Sequence, residues 1–298
     1  MVNKVATIGT FDGVHSGHRF LLEQVIRQAR ADGGRSLVVT FANSPRSVID
    51  PSFVQSCLTT YAEKHRLLLD MGVDEVLMMQ FTAEMMQMSA RQFMQQLHDE
   101  QGVTALVIGY DHRFGHNRTE GFDDYCRYGS ELGIKVIQAE AYRQDSQAVS
   151  SSLVRKMIAE GDIMSANQML SYHYTIDGTV VNGFHIGRTI GYPTANIQLP
   201  ADKLVPADGV YAVIAALDGQ EFVGMLNIGC RPTFDNGQRS IEVHLLDFDR
   251  DIYSHHITLR FIQRIRDERR FDSVEKLLMQ IRQDERVIRT ITTNLLAQ

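Results

Sequence analysis

The sequence predicts an α/β domain followed by an all-β domain: a doubly wound parallel sheet in the first half, then a small closed β-barrel with a helical tail. Three observations carry this expectation. Up to about residue 170, short apolar, β-branched runs alternate with amphipathic helical patterns. Beyond Tyr172 the chain becomes a series of short runs separated by glycines and turn residues such as Asn182-Gly183. A final stretch, 273–296, returns to helical spacing behind Ser273, a good N-cap.

In the first half, strands are expected at 4–9, 36–41, 75–81, 105–110 and 135–141, each apolar enough to be buried on both faces. A helix is expected from about residue 17, with Phe20, Leu21, Val25, Ile26 and Ala29 on one side, ending at Gly33-Gly34. Others are expected at 62–71, after the N-cap Ser89 with Phe93, Met94 and Leu97 inward, and at 122–132. The methionines 78, 79, 85, 86, 88 and 94 read as adaptable core filling. Short helices at 153–160 and 164–170 close this half, which sets expected domains of 1–171 and 172–298. Strands of the second domain are expected at 174–181, 194–199, 209–217, 222–228, 241–248 and 257–265.

Bulk properties narrow the function classes. The chain has 298 residues, 44% hydrophobic and 22% charged, ordinary for a globular protein of two domains. A formal net charge of −6 argues against nucleic acid as a partner. No apolar run approaches the ~20 residues of a membrane span, and no signal-peptide core follows Met1, so neither membrane insertion nor export is expected. Cys57, Cys126 and Cys230 are scattered, with neither disulfide nor zinc spacing, which suits the cytoplasm. Self-association is not readable from the sequence.

The most informative stretch is Gly9-Thr10-Phe11-Asp12-Gly13-Val14-His15-Ser16-Gly17-His18, between the first strand and the first helix. A helix N-terminus presents free N–H groups and partial positive charge to a phosphate. Gly17 permits close approach, and His15 and His18 can donate to phosphate oxygens. The string resembles the GxFDxxHxGH signature of the nucleotidyltransferase superfamily. That resemblance implies a Rossmann-like domain in which Gly9, Phe11 and Gly17 line the ATP site and His15 and His18 stabilise charge on its phosphates. At the same sheet edge lies Gly109-Tyr110-Asp111-His112-Arg113-Phe114-Gly115, in which Phe114 can stack on a planar ring and Asp111 can accept hydrogen bonds. It resembles the G-x-D-F-R-F-G segment of the flavin adenylyltransferase branch, implying flavin contact by Asp111, His112 and Phe114; His112 replaces an aromatic Phe. Ser150, Ser151, Ser152 and Arg155 open a helix and can meet an anion there. They resemble the superfamily's [IV]-S-S-T-x-x-R motif, with Ser152 for Thr. Ser44-Pro45 stands where the related family has His-Pro, and Ser44 receives no role.

In the second half, a glycine-punctuated loop runs from Gly183 through Gly187 and Arg188 into Pro193-Thr194-Ala195-Asn196. Backbone N–H groups of such a loop can cradle phosphate. Thr194 and Asn196 fall on one strand face and offer neutral oxygens suited to Mg²⁺. The segment resembles the G-x-x-x-G-R-x-[LI]-G-x-P-T-A-N signature of riboflavin kinases. Later strings around Asn227 and Arg231, around Glu242, and at 265–271 resemble the same family, implying flavin contact by Asn227 and Arg231. In the strand around Glu242, Glu242 and His244 share a face opposite Ile241, Val243 and Leu245. The reading puts that carboxylate on the barrel's inner face as a candidate general base, and the resemblance implies that it takes the ribityl hydroxyl proton.

Over nearly its whole length the chain therefore resembles the bifunctional riboflavin kinase/FMN adenylyltransferases, the bacterial-type FAD synthetases. The resemblance implies riboflavin, FMN, FAD and ATP as substrates and products, with Mg²⁺. Because of Ser44 and His112, two other readings stay open: a kinase with an impaired adenylyltransferase domain, and a non-catalytic flavin-binding module.

Overall fold

The computed structural model describes residues 3–296 apart from 51, 54, 111, 117–118, 143–148, 184–185 and 231–238. The first unit is a three-layer α/β sandwich. Its elements run β1 (Lys4–Ile8), α1 (Ser16–Ala31), β2 (Arg35–Phe41), α2 (Pro45–Ile49), α3 (Tyr61–Asp70), β3 (Glu75–Met79), α4 (Ala83–Gln87), α5 (Ala90–Gln101), β4 (Val103–Ile108), α6 (Phe122–Leu132) and β5 (Lys135–Gln138). The strands are all parallel, in the order β3-β2-β1-β4-β5. The order reverses between β1 and β4, so their C-terminal ends flank a crevice of the kind in which such sheets bind ligands. One sheet face packs Leu37, Val39, Leu106 and Ile108 against Phe93, Met94 and Leu97 of α5. Met79, Met85 and Met94 join that core, as the methionine pattern suggested.

Short helices α2 and α4 were not anticipated. Each has five residues, too few for a periodic signal, and each is fixed by its start: Pro45 sits in the first turn of α2, and the Thr82 hydroxyl accepts from the Met85 N–H at the head of α4.

The second unit begins after the first residue of α7 (Ser151–Glu160) and continues through α8 (Ile163–Leu170), β6 (Thr175–Val181), α9 (Ile186–Thr189), β7 (Ala195–Gln198), β8 (Gly209–Leu217), β9 (Gln220–Cys230), β10 (Arg239–Leu245), β11 (His256–Arg266) and α10 (Val274–Leu296). The strands close an antiparallel barrel in the order β10-β7-β6-β11-β8-β9. By contacts the two units divide at Ser151/Ser152, some way before the expected 171/172. The cause is local. The Asn167 amide donates to the Phe261 carbonyl of β11 (2.9 Å), and the Ala207 N–H donates to the Ile158 carbonyl of α7, so both helices pack on the barrel.

Tyr211, Val213, Val243 and Phe261 are fully buried inside the barrel. The other faces of β8, β9 and β11 carry Ala212, Ile214, Met225 and Ile262, which pack against Ile288 of α10. A closed six-stranded barrel has room only for side chains, so the face under α10 is the outer one.

Candidate active sites

At the switch point of the first unit, the loop leaving β1 is bent and tightly held. Phe11, Gly13 and Val14 have φ of 47°, 79° and 36°. For Phe and for β-branched Val this left-handed region is strained, and such residues cluster at functional sites. The neighbouring chain holds them there. Asp12 accepts from the Leu58 and Thr59 N–H groups (3.0 and 3.1 Å), and the Gly13 N–H donates to Thr59 Oγ1 (3.1 Å).

His15 is the N-cap of α1: its Nδ1 accepts from the His18 N–H at 3.4 Å. Neutral His15 therefore carries its proton on Nε2. The two imidazoles are stacked, with centroids 3.7 Å apart and planes 18° apart. Gly17, between them in the chain, lies against the His15 ring. Burial lowers the His15 pKa to about 4, although the Asp12 carboxylate pulls it upward. The His18 pKa is also well below the ordinary value, first by desolvation and then by His15, His112 and Lys64. His18 Nδ1 is buried with no partner among the described residues. Two neutral imidazoles with an unspent ring nitrogen, at a helix N-terminus, form a site poised for a polyanion.

Ser151 Oγ donates to the Asp12 carbonyl at 2.9 Å, which ties the serine segment to the histidine loop. Ser150 is exposed just before α7; Ser152 and Arg155 lie in the first turns of that helix. The turn after β4 is closed by the His112 N–H donating to the Gly109 carbonyl (3.0 Å). Asp111 lies outside the described residues. Three of the expected residues are engaged within the protein. The Gly9 N–H donates to the Val39 carbonyl (3.0 Å), which extends the β1–β2 ladder by one bond. Phe11 is 1% exposed and sends its ring edge against His18 (5.1 Å, 66°), so it supports that imidazole from the core. Phe114 is 9% exposed and stacks on Tyr125 (4.3 Å, 15°), which leaves it in the core beneath His112.

Lys64 was missed by the sequence reading. It is 7% exposed, and its Nζ donates to the Thr10 and Phe41 carbonyls at 3.1 and 2.6 Å. The available signal was its position on the apolar stripe of α3, at helical spacing from Leu67, Leu68 and Met71.

In the barrel unit, register assembles the second site. Glu242 of β10 pairs with Asn196 of β7 on one side and with Asn227 of β9 on the other. Directly opposed residues of antiparallel strands share a face, so the three side chains form one polar row. Thr194 Oγ1 donates to Glu242 Oε2 at 3.2 Å. A Cβ on Gly183 would run into the Asn196 amide, which explains glycine there. The 186–189 segment, with Gly187 and Arg188, forms the short helix α9, and the Tyr192 N–H returns to the Gly187 carbonyl (2.8 Å). Phe184, His185 and Arg231 lie outside the described residues.

The face expected for Glu242 is corrected. Ile241, Val243 and Leu245 fill the barrel interior, and the Glu242 row lies on the outer face. Asn227 pairs with Val210, which packs in the α10 layer. Tyr192 joins the same layer, packs edge-on against His244 (5.1 Å), and donates to Glu285 of α10 (3.4 Å). The carboxylate is thus partly buried at an accessible edge and not sealed inside.

The same division appears in comparisons with known proteins. The riboflavin kinase family model matches residues 170–292, and the FAD synthetase family model matches residues 2–153. A Listeria monocytogenes protein described as a bifunctional riboflavin kinase/FMN adenylyltransferase is 35% identical, over 99% of this chain and 94% of its own. A Pseudomonas fluorescens protein of the same description is 38% identical, over 96% and 92%. The crystal structure of a Streptococcus pneumoniae protein described as a macrolide-efflux protein superposes with a TM-score of 0.89 at 32% identity, over 97% of this chain and 94% of that one. No helix among the described residues is long and apolar enough to cross a membrane. With both halves matched and full-length relatives above 30% identity, the chain belongs to the bifunctional riboflavin kinase/FMN adenylyltransferase family.

Proposed function

We propose that the two sites divide the family's two reactions between them: the barrel phosphorylates riboflavin to FMN with ATP, and the α/β unit adenylylates FMN to FAD with a second ATP. The observation that carries this reading is the Thr194–Glu242 hydrogen bond within the Asn196–Glu242–Asn227 row, since it puts a base beside neutral oxygens on one face.

In the kinase reaction, the riboflavin 5′-oxygen forms a bond to the γ-phosphorus and the bond to the β,γ-bridging oxygen breaks, releasing ADP. Glu242 takes the hydroxyl proton, and the Thr194 hydroxyl holds its carboxylate in position. Gly183, Gly187 and Arg188 are assigned to the ATP phosphates, and Asn227 and Arg231 to the flavin, on their motifs. The donor set of Thr194, Asn196 and Glu242, all oxygen ligands, fits a hard cation. When bound there by Thr194 and Asn196, Mg²⁺ would neutralise phosphate charge. Phosphoryl transfer has a loose transition state, so positioning and charge neutralisation outweigh the base.

In the second reaction, an FMN phosphate oxygen attacks the α-phosphorus of ATP and pyrophosphate leaves. His15 and His18 donate to the phosphates, joined by the free N–H groups at the start of α1. Ser150, Ser151, Ser152 and Arg155 are assigned to the same ATP on their motif, so the adenylyltransferase domain is taken to run to 171 and the kinase domain from 172. His112 and Asp111 are assigned to the flavin. No covalent enzyme intermediate is required.

The test is incubation of the purified protein with riboflavin, ATP and Mg²⁺, followed by chromatography of the flavins. FAD is the expected product. Accumulation of FMN alone would leave only the kinase, and unchanged riboflavin would leave only binding.

A further inference from the structure

We propose that Lys64 is a positioning residue for adenylyl transfer: its ammonium joins the chain just beyond β1 to the end of β2 beneath the paired imidazoles. This rests on reading the first unit as the FMN adenylyltransferase. The β1–β2 ladder runs to Ile8↔Val39, and the chain beyond must still be held for the strained Phe11–Val14 turn to persist. Lys64 Nζ bonds the Thr10 carbonyl at 3.1 Å and the Phe41 carbonyl at 2.6 Å, and Thr40 Oγ1 adds a second bond to Thr10 (3.1 Å). The helix carrying Lys64 is itself anchored. Thr60 and Glu63 form a capping box at its start, and Leu68 is fully buried.

Lys64 also acts on charge. Asp12 and Cys57 face it and oppose the effect of its burial, while Asp12 faces His15. His18 is faced by His15, His112 and Lys64. Burial is the main reason the His18 imidazole is neutral; a cation at this place adds to that, and to the effects of His15 and His112, in disfavouring a second charge there. The same cation then adds to the field that receives the triphosphate.

The test uses full-length protein with Lys64→Gln, Lys64→Met and His18→Ala, assaying FMN adenylylation from pH 5 to 9, with circular dichroism and thermal unfolding as the control for folding of the first unit and riboflavin phosphorylation as the reaction that should not change. Gln keeps an N–H donor on a side chain one bond shorter but lacks the charge; Met lacks both. Lys64→Gln should keep the kinase rate and raise the pH of the His18-dependent inflection in kcat/KM by about half to one unit. Lys64→Met should in addition lose about tenfold to a hundredfold in adenylylation, from misplacement of the loop. An unmoved inflection in Lys64→Gln overturns the proposal, even should Lys64→Met fail to fold. Adenylylation that survives His18→Ala would instead overturn the assignment of the site.

Discussion

The His15 and His18 rings lie face to face, 3.7 Å between centroids, at the mouth of the β1–α1 turn. Burial keeps both pKa values below the ordinary imidazole range, so the pair is neutral in the free protein at neutral pH. A bound triphosphate reverses that preference, because opposite charge favours the imidazolium.

ATP binding to the first unit should therefore take up protons. Calorimetry at pH 6.5 in two buffers of different ionisation enthalpy reads this directly. The expected result is net uptake that falls in His15→Asn and largely disappears in His18→Ala. Equal apparent enthalpies in both buffers for the wild type would contradict the proposed role of the pair.

The same burial makes the first unit sensitive to acid. The unfolded chain binds a proton on residue 15 near pH 6.5, whereas the folded one does so near pH 4. Stability is thus unaffected above 6.5, declines as pH falls through it, and carries the full penalty below about 4. For His15, which is 6% exposed, the loss amounts to about 3 kcal/mol. His15→Asn keeps a competent N-cap and removes the titration. Urea unfolding followed by circular dichroism at pH 7, 5.5 and 4.5 should show a shallower acid decline for the variant.

In the barrel, Glu242→Gln should lower kcat for riboflavin phosphorylation by about a hundredfold with little change in the KM for ATP. Thr194→Val, which removes the donor at 3.2 Å from Glu242 Oε2, should reduce kcat less than Glu242→Gln does. Steady-state kinetics with FMN formation as readout separates the two parameters. A proportionate rise in KM without loss of kcat would reassign Glu242 to substrate binding.

Much of this is legible in the sequence. Apolar, β-branched runs placed all five parallel strands: β1, β2 and β4 are buried on both faces as such runs predict, whereas the edge strands β3 and β5 are only half-buried and β5 exposes Lys135 and Gln138. The chemistry-bearing loops followed from glycine and histidine spacing. What escaped was orientation. Glu242 and His244 alternate with Ile241, Val243 and Leu245, but alternation alone does not say which face a helix will cover, and α10 marks the outer face of the barrel. Phe11 and Phe114 sit in polar loops and read as ligand-facing, yet the turns carry both rings into the core. Lys64 drew no reading despite its place on the apolar stripe of α3, because lysine is rarely buried; the Thr10 and Phe41 carbonyls account for its burial.

Independence of the two sites is the central claim, and complementation tests it most directly. With riboflavin, ATP and Mg²⁺, Glu242→Gln should make little FMN yet convert supplied FMN to FAD. His18→Ala should stall at FMN. Mixing the two variants should restore FAD formation from riboflavin. Wild-type FAD production by either variant alone, or loss of both reactions in one of them while it remains folded, would contradict the account.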